Sequence, residues 1–230
     1  MIWIILQNLS MNGSIFVIMY RKFFKRPLDF LLALFGLILV SPVIIIALII
    51  LALSFRENPF FLQKRPGRHE RIFSVIKLKT MNSRKDANGN LLSDTERLTP
   101  LGIFIRKTSI DELPQLINVL KGEMSLIGPR PLLIRYQPYY TKEERKRFLI
   151  RPGITGLAQI SGRNYITWED RFAKDVEYSE NITLAMDAQI IWKTFLKVLK
   201  SDDIEVDPTA NPDMEYLDIE RQDWKEKGLL

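Results

Sequence analysis

The chain has 230 residues, 47% hydrophobic and 26% charged, a length that suits one domain plus a membrane element and leaves little room for a second core. Having no cysteine and a single histidine, His69, it excludes a disulfide framework, a thiol nucleophile and a Cys/His zinc site, so chemistry falls to Asp, Glu, Lys, Ser or Tyr. The net charge of +6 is uneven: from Ser201 onward ten acidic residues face three basic ones, so that tail carries −7 and residues 1–200 carry +13. A body this basic suits anionic headgroups or phosphorylated substrates better than nucleic acid, for which no groove-reading element or aromatic platform is apparent.

Residues 1–19 are apolar at both ends but broken by Gln7, Asn8, Ser10, Asn12, Gly13 and Ser14, a poor signal peptide and a poor spanning helix. Met1, Met11 and Met19 are all candidate starts, and Met19 opens a basic stretch, YRKFFKRPLDF. Phe30–Phe55 then carries no charge and has Ser41-Pro42 near its centre. Pro42 has no N–H for the Ile38 carbonyl, so the helix is expected to break there, with Ser41 helping to satisfy the freed carbonyl. Both flanks are basic: Arg21, Lys22, Lys25 and Arg26 before, Lys64, Arg65, Arg68 and Arg71 after. Like-signed flanks favour a re-entrant helix whose ends share one side of the bilayer; a kinked spanning helix is the alternative.

Arg56–Gly67 reads as turn-rich, Arg71–Met81 as a strand by its alternation, and Asn82–Thr95 as a polar loop around Asn88-Gly89-Asn90. Leu98–Lys107 leads into a short helix, and Ser109–Leu120 has the apolar spacing of an amphipathic one. Ser125–Pro131 is a proline-held loop, Lys142–Ile150 a basic helix and Ile154–Ile160 a short strand. Ile182–Leu199 is an amphipathic helix with Trp192 and several lysines, suited to a membrane surface.

Asp111-Glu112 is the most suggestive acidic pair. Its simpler reading is structural, because Ser109-x-x-Glu112 matches a capping box. Its functional reading is a carboxylate kept ionised at a helix N-terminus beside Arg106 and Lys107, fit for a nucleophile or a magnesium ligand. Gly128-Pro129-Arg130-Pro131 is a stiff loop presenting a guanidinium, which forks onto phosphate. Ser161-Gly162-Arg163-Asn164 offers a second, and Lys77 and Lys79 share one face of the strand, as phosphate ligands or as a solvated face.

The blocks QKRPG at Gln63–Gly67, IKLKTM at Ile76–Met81, RKTSIDELPQLINVLKGEMSLIGPRPLL at Arg106–Leu133 and RPGITGLAQISGRN at Arg151–Asn164 follow the Ser41-Pro42 segment in order. Together they resemble the monotopic phosphoglycosyl transferases, the bacterial sugar transferase family, from about Tyr20 to Lys200. The small members without added domains, of the diacetylbacillosamine-phosphate transferase type, look most similar. Departures are the extension before Met19, Lys79 where arginine is usual, Ile110 where leucine is usual, and the acidic tail.

The resemblance implies a mixed α/β fold: a re-entrant helix-break-helix over 20–57, amphipathic interfacial helices, and a compact cytoplasmic catalytic body over 58–200, with an extension before and an acidic tail over 201–230. It implies transfer of a phosphosugar from a UDP-sugar to undecaprenyl phosphate at the inner membrane, with Mg2+ as cofactor and the lipid bilayer as partner. Asp111 would be the nucleophile, with Asp111 and Glu112 at the metal. Lys77, Lys79, Arg106, Arg130 and Arg163 would surround the phosphates, and Pro129 would shape its loop. The sugar and the oligomeric state are left open. A non-catalytic adaptor that gathers anionic lipid is the reading of a different class.

Overall fold

A computed structural model describes residues 15–162, 166–200 and 216–228. It is an apolar helical rod laid along a small α/β body.

The rod is helical from Ile15, passes a π-helical turn at Tyr20–Phe24, and continues as α1, Lys25–Phe55. Its most apolar stretch has a mean hydropathy of 3.1 and is only 17% buried, far more apolar exposure than water tolerates on a monomer. Helical backbone continues through Ser41-Pro42 rather than separating there into two helices. The reason is local: the Ser41 hydroxyl donates to the Ile38 carbonyl at 2.8 Å, replacing the bond that Pro42 cannot give. Asp29, Ala33, Ile44, Ala47 and Leu51 are buried at helical spacing, so one stripe faces the body on both sides of Pro42.

Polar bonds seat the start of the rod. Tyr20 and Lys25 donate to Asp187 Oδ2 at 2.6 and 2.7 Å. Arg26 donates to the carbonyls of Val119 and Leu120 at 2.7 and 3.1 Å, satisfying the end of α3, Gln115–Lys121. The Ser125 hydroxyl donates to Asp29 at 2.6 Å, so the rod holds the strand that leads to the Gly128–Pro131 loop.

In the body, β1 (Phe60–Pro66) and β2 (Ile72–Leu78) form an antiparallel hairpin, from Phe60 opposite Leu78 to Pro66 opposite Ile72. β1 corrects the turn reading of that stretch: its prolines flank or close the strand rather than interrupt it. Asn118, fully buried, locks α3 to β2 by accepting from Ile76 N and donating to Ser74 O. A short parallel pair joins β3 (Ser125–Ile127) to β4 (Gly153–Thr155). Here three glycines let two backbones meet, since a Cβ on Gly128, Gly153 or Gly156 would lie 2.5, 2.1 or 2.2 Å from the facing backbone.

Thr99 caps α2, Pro100–Lys107. The basic stretch after Lys142 is a 3-10 segment, Glu144–Leu149, and β4 runs into a short helix, Leu157–Ser161. α4, Trp168–Glu180, was not expected; its Trp168 and Phe172 join Tyr136, Tyr140 and Phe148 in an aromatic core. α5, Leu184–Lys200, buries Asp187 and Ile190 and exposes Ile191, Trp192, Phe195 and Leu196. Part of the acidic tail packs on this body, with Leu217 and Arg221 fully buried and Arg221 paired to Glu144 and Glu169.

Candidate active site

Asp111 and Glu112 lie in a single 3-10 turn, Ile110–Glu112, between α2 and α3, not in the first turn of a long helix. The chain reaches it through Ser109, whose φ of +55° is uncommon for a residue with a side chain and is found at functional sites more often than elsewhere. The expected capping box at Ser109 does not form. Glu112 is drawn away from it: its Oε1 accepts from Lys77 Nζ at 2.8 Å and from Arg130 Nη2 at 2.6 Å, and its Oε2 from Arg130 Nη1 at 3.3 Å. The bidentate Arg130 bond joins the 3-10 turn to the Gly128–Pro131 loop, and Lys77 joins both to β2.

Asp111, Glu112, Lys77, Arg106 and Arg130 all line one cavity of about 1050 Å3, roomy enough for a nucleotide-sized ligand. Arg106, in the last turn of α2, is aimed by a bond from its Nε to Thr80 Oγ1 at 2.9 Å. α2 lies hard against that residue because Gly102 has no Cβ; one there would fall 1.8 Å from the Thr80 carbonyl oxygen. Pro129 is buried and shapes the loop from behind rather than lining the cavity. Lys79 lines the cavity too, but its amine binds Glu57, beyond the end of α1, and Ser83 Oγ at 2.8 Å, which makes it a strut between rod and loop in this state. Arg163 lies outside the described residues, and Ser41 and Pro42 are in the rod.

The two carboxylates differ in charge state. Burial, and next the charge of Glu112, push the Asp111 carboxyl up to about 6, against the pull of Lys77, Arg130 and Arg106. This corrects the expectation that Asp111 is simply held ionised. Burial also acts on Glu112, but Arg130 and Lys77 outweigh it and hold that carboxyl well below the usual range. Among the described residues no hydrogen bond or ion pair engages the Asp111 carboxylate. The arrangement is a fixed, ionised Glu112 that organises two cations, beside a more basic carboxylate with its oxygens available. Chemically, a carboxylate so placed in a cation-lined cavity can act as a base, a metal ligand or a nucleophile.

Four further lining residues were not singled out from sequence: Gln159, Arg147, Asp175 and Arg171. The last two are on α4, which has legible signals in Thr167 as N-cap, Glu169 and Asp170 in the first turn, and Trp168, Phe172 and Val176 at spacing of four. Among the described residues no group of three or more His, Cys, Asp or Glu side chains could hold a metal ion.

Residues 20–201 match the family described as bacterial sugar transferase. The chain is 48% identical over 181 residues to a Bacillus subtilis protein named uncharacterized sugar transferase EpsL, covering 79% of this chain and 90% of that one. It is 36% identical over 188 residues to a Caulobacter vibrioides protein named UDP-glucose:undecaprenyl-phosphate glucose-1-phosphate transferase, covering 77% and 70%. A Salmonella typhimurium protein named undecaprenyl-phosphate galactose phosphotransferase is 36% identical over 199 residues, and the chain spans 41% of its length.

Proposed function

The chain belongs to the bacterial sugar transferase family, and from that premise we propose that it moves a sugar phosphate from a UDP-sugar to undecaprenyl phosphate through a covalent Asp111 intermediate. The observation that carries this reading is Asp111 itself, free of partners among the described residues and titrating near 6, beside cations that Glu112 and Thr80 hold in place. In the first step an Asp111 carboxylate oxygen attacks the β-phosphorus, the bond from that phosphorus to the bridging oxygen breaks, and UMP leaves with the electron pair. In the second, an oxygen of undecaprenyl phosphate attacks the same phosphorus and displaces the carboxylate, giving the polyprenyl diphosphosugar. Lys77, Arg106 and Arg130 neutralise the diphosphate and the charge that develops on it.

The carboxylate pair fits a magnesium ion shared with substrate rather than caged by protein. Asp111 has oxygens to offer, Glu112 is already engaged by Lys77 and Arg130, and no third acidic or histidine ligand stands by among the described residues. Such an ion would supply counter-charge between the nucleophile and the diphosphate. EDTA is expected to abolish UMP release and added Mg2+ to restore it.

The exposed apolar faces of α1 and α5 support a site held at the bilayer surface, where a soluble donor and a lipid phosphate can both reach it. We place that surface on the cytoplasmic face, with both ends of α1 on one side. Incubation with UDP-sugar and Mg2+ but no lipid phosphate should raise the intact mass by one phosphosugar, mapped to Asp111. An adduct on another residue, or turnover without any adduct, would remove the covalent assignment.

A further inference from the structure

We propose that the part of the cavity lined by Gln159, Asp175 and Arg171 is a hydroxyl-binding subsite that holds the donor's sugar ring and discriminates among sugars; this rests on the nucleotide-sugar reading above.

Gln159 has both amide atoms, Nε2 and Oε1, shielded from solvent and without a partner among the described residues. It stands on the short helix Leu157–Ser161, with Oε1 so close to Gly156 that a Cβ there would come within 2.8 Å. Asp175 is 2% exposed. Its Oδ2 takes two bonds from Arg147, at 3.1 and 2.7 Å, while Oδ1 takes none among the described residues. Arg147 is itself pinned to the Arg130 carbonyl at 2.8 Å and to Tyr140 Oη at 3.1 Å, so Asp175 is fixed in place. Arg171 lies 4.6 Å over the Trp168 ring and adds a cation to the same wall. Buried polar atoms ordinarily find partners, and three left without one on a cavity wall point to a ligand that supplies them.

The chemistry of that wall is specific. A carboxylate oxygen can only accept, a guanidinium can only donate, and an amide does both. Neighbouring hydroxyls, each a donor and an acceptor, complement this set. A nucleobase would call for a flat stacking partner, and Phe61, on β1 and opposite Lys77, is the aromatic ring that lines the cavity among the described residues. Position agrees: Asp175 is one guanidinium removed from the backbone of Arg130, and in the donor the sugar is bonded directly to the phosphate group under attack.

The test uses the full chain in detergent or nanodiscs, with UDP-glucose, UDP-galactose and UDP as probes. Direct binding and UMP release are both measured, for the wild type, Gln159→Ala and Arg171→Lys. Losing one well-placed hydrogen bond to a sugar should weaken UDP-sugar binding about tenfold and change the ratio of kcat/KM between the two epimers by about fivefold or more, with UDP affinity unchanged. A merely structural role would lower UDP binding and turnover together and leave the epimer ratio where it was, and that result in both variants would overturn the proposal. Equal weakening of UDP and UDP-sugar would move the nucleotide to this wall and overturn it likewise. If the wild type binds UDP-sugars without releasing UMP, the reaction reading fails while the binding arms still judge the subsite. If it binds none of them, both fail.

Discussion

Asp111 and Glu112 are sequence neighbours with opposite electrostatic fates. Glu112 is surrounded by the positive groups it bonds; Asp111 meets burial and the charge of Glu112. A folded-state carboxyl raised from 3.8 to about 6 favours its protonated form, so the stability it contributes is full below the unfolded value and lost as pH rises through about 6. At neutral pH an ionised Asp111 therefore strains the fold, by at most roughly 3 kcal/mol. Asp111→Asn is expected to melt at a higher temperature than wild type at pH 7.5, while turnover falls by about a thousandfold or more. A melting scan with a UMP-release assay checks both, and a lower melting temperature would contradict the charge assignment. The same shift sets the pH profile: kcat/KM for UMP release should rise with pH along an acid limb centred near 6, above the ordinary carboxylate range. Glu112→Gln removes a charge that raises Asp111. That limb should then move to lower pH, while the rate drops about a hundredfold or more because Lys77 and Arg130 lose the carboxylate charge, and one of the two oxygens, that aim them.

Between elements, the tightest joint is the β3–β4 crossing behind Arg130. A Cβ at Gly153 would lie 2.1 Å from Gly128 N and 2.4 Å from Thr155 O, and both are backbone atoms that cannot swing aside. Gly153→Ala should cost about 3 kcal/mol or more and abolish activity through the displaced Arg130 loop, read by denaturant unfolding; retention of both would show that the crossing can spread. This joint also marks where sequence reasoning stops. Local periodicity was enough for β2 and α5, and the charge-free run was enough for an apolar helix, although the break expected at Ser41-Pro42 is bridged by the Ser41 hydroxyl. The Asp-Glu turn was misread as a capped helix because Ser109-x-x-Glu112 has the right spacing, yet long-range bonds from Lys77 and Arg130 win the Glu112 carboxylate. The same pattern at Ser93-x-x-Glu96, where among the described residues no cation bonds the Glu96 carboxylate, does form its box. β1 was hidden by Lys64, Arg65 and Pro66, whose strand character comes from pairing with β2. Family resemblance supplied the expectation that Asp111, Glu112, Lys77, Arg106 and Arg130 act at one site, and all five line one cavity. No sequence pattern distinguished the strut role of Lys79, because Glu57 reaches it from the far end of α1.

At the scale of the whole molecule, the question is how a 31-residue helix can carry a charged body. At 1.5 Å per residue it measures about 46 Å, longer than the ~30 Å hydrocarbon core. Its start is bonded to Asp187 and to the end of α3, while Ala47 and Leu51, past Pro42, pack on Leu78 and Ile105 beside the Ile110–Glu112 turn. Were α1 to cross the bilayer, those two contact sets would sit in different aqueous phases and the body between them would lie at membrane depth. The body's buried charges, such as Arg147 with Asp175, are paired for a protein interior, and its surface carries the excess of basic residues. A same-side arrangement keeps the body in water and leaves the exposed face of α1, with Phe35, Ile38, Leu39 and Leu53, to the lipid. The absence of cysteine makes the test direct. Lys22 and Lys64, both exposed, flank the apolar stretch, and Lys25 is avoided because it is committed to Asp187. Single cysteines at Lys22 and Lys64 are expected to react with a membrane-impermeant maleimide in inverted vesicles and to be shielded in intact cells, both alike. Labelling from opposite faces would replace the same-side arrangement with a spanning helix and would require the packing of Ala47 and Leu51 on the body to come apart in the membrane.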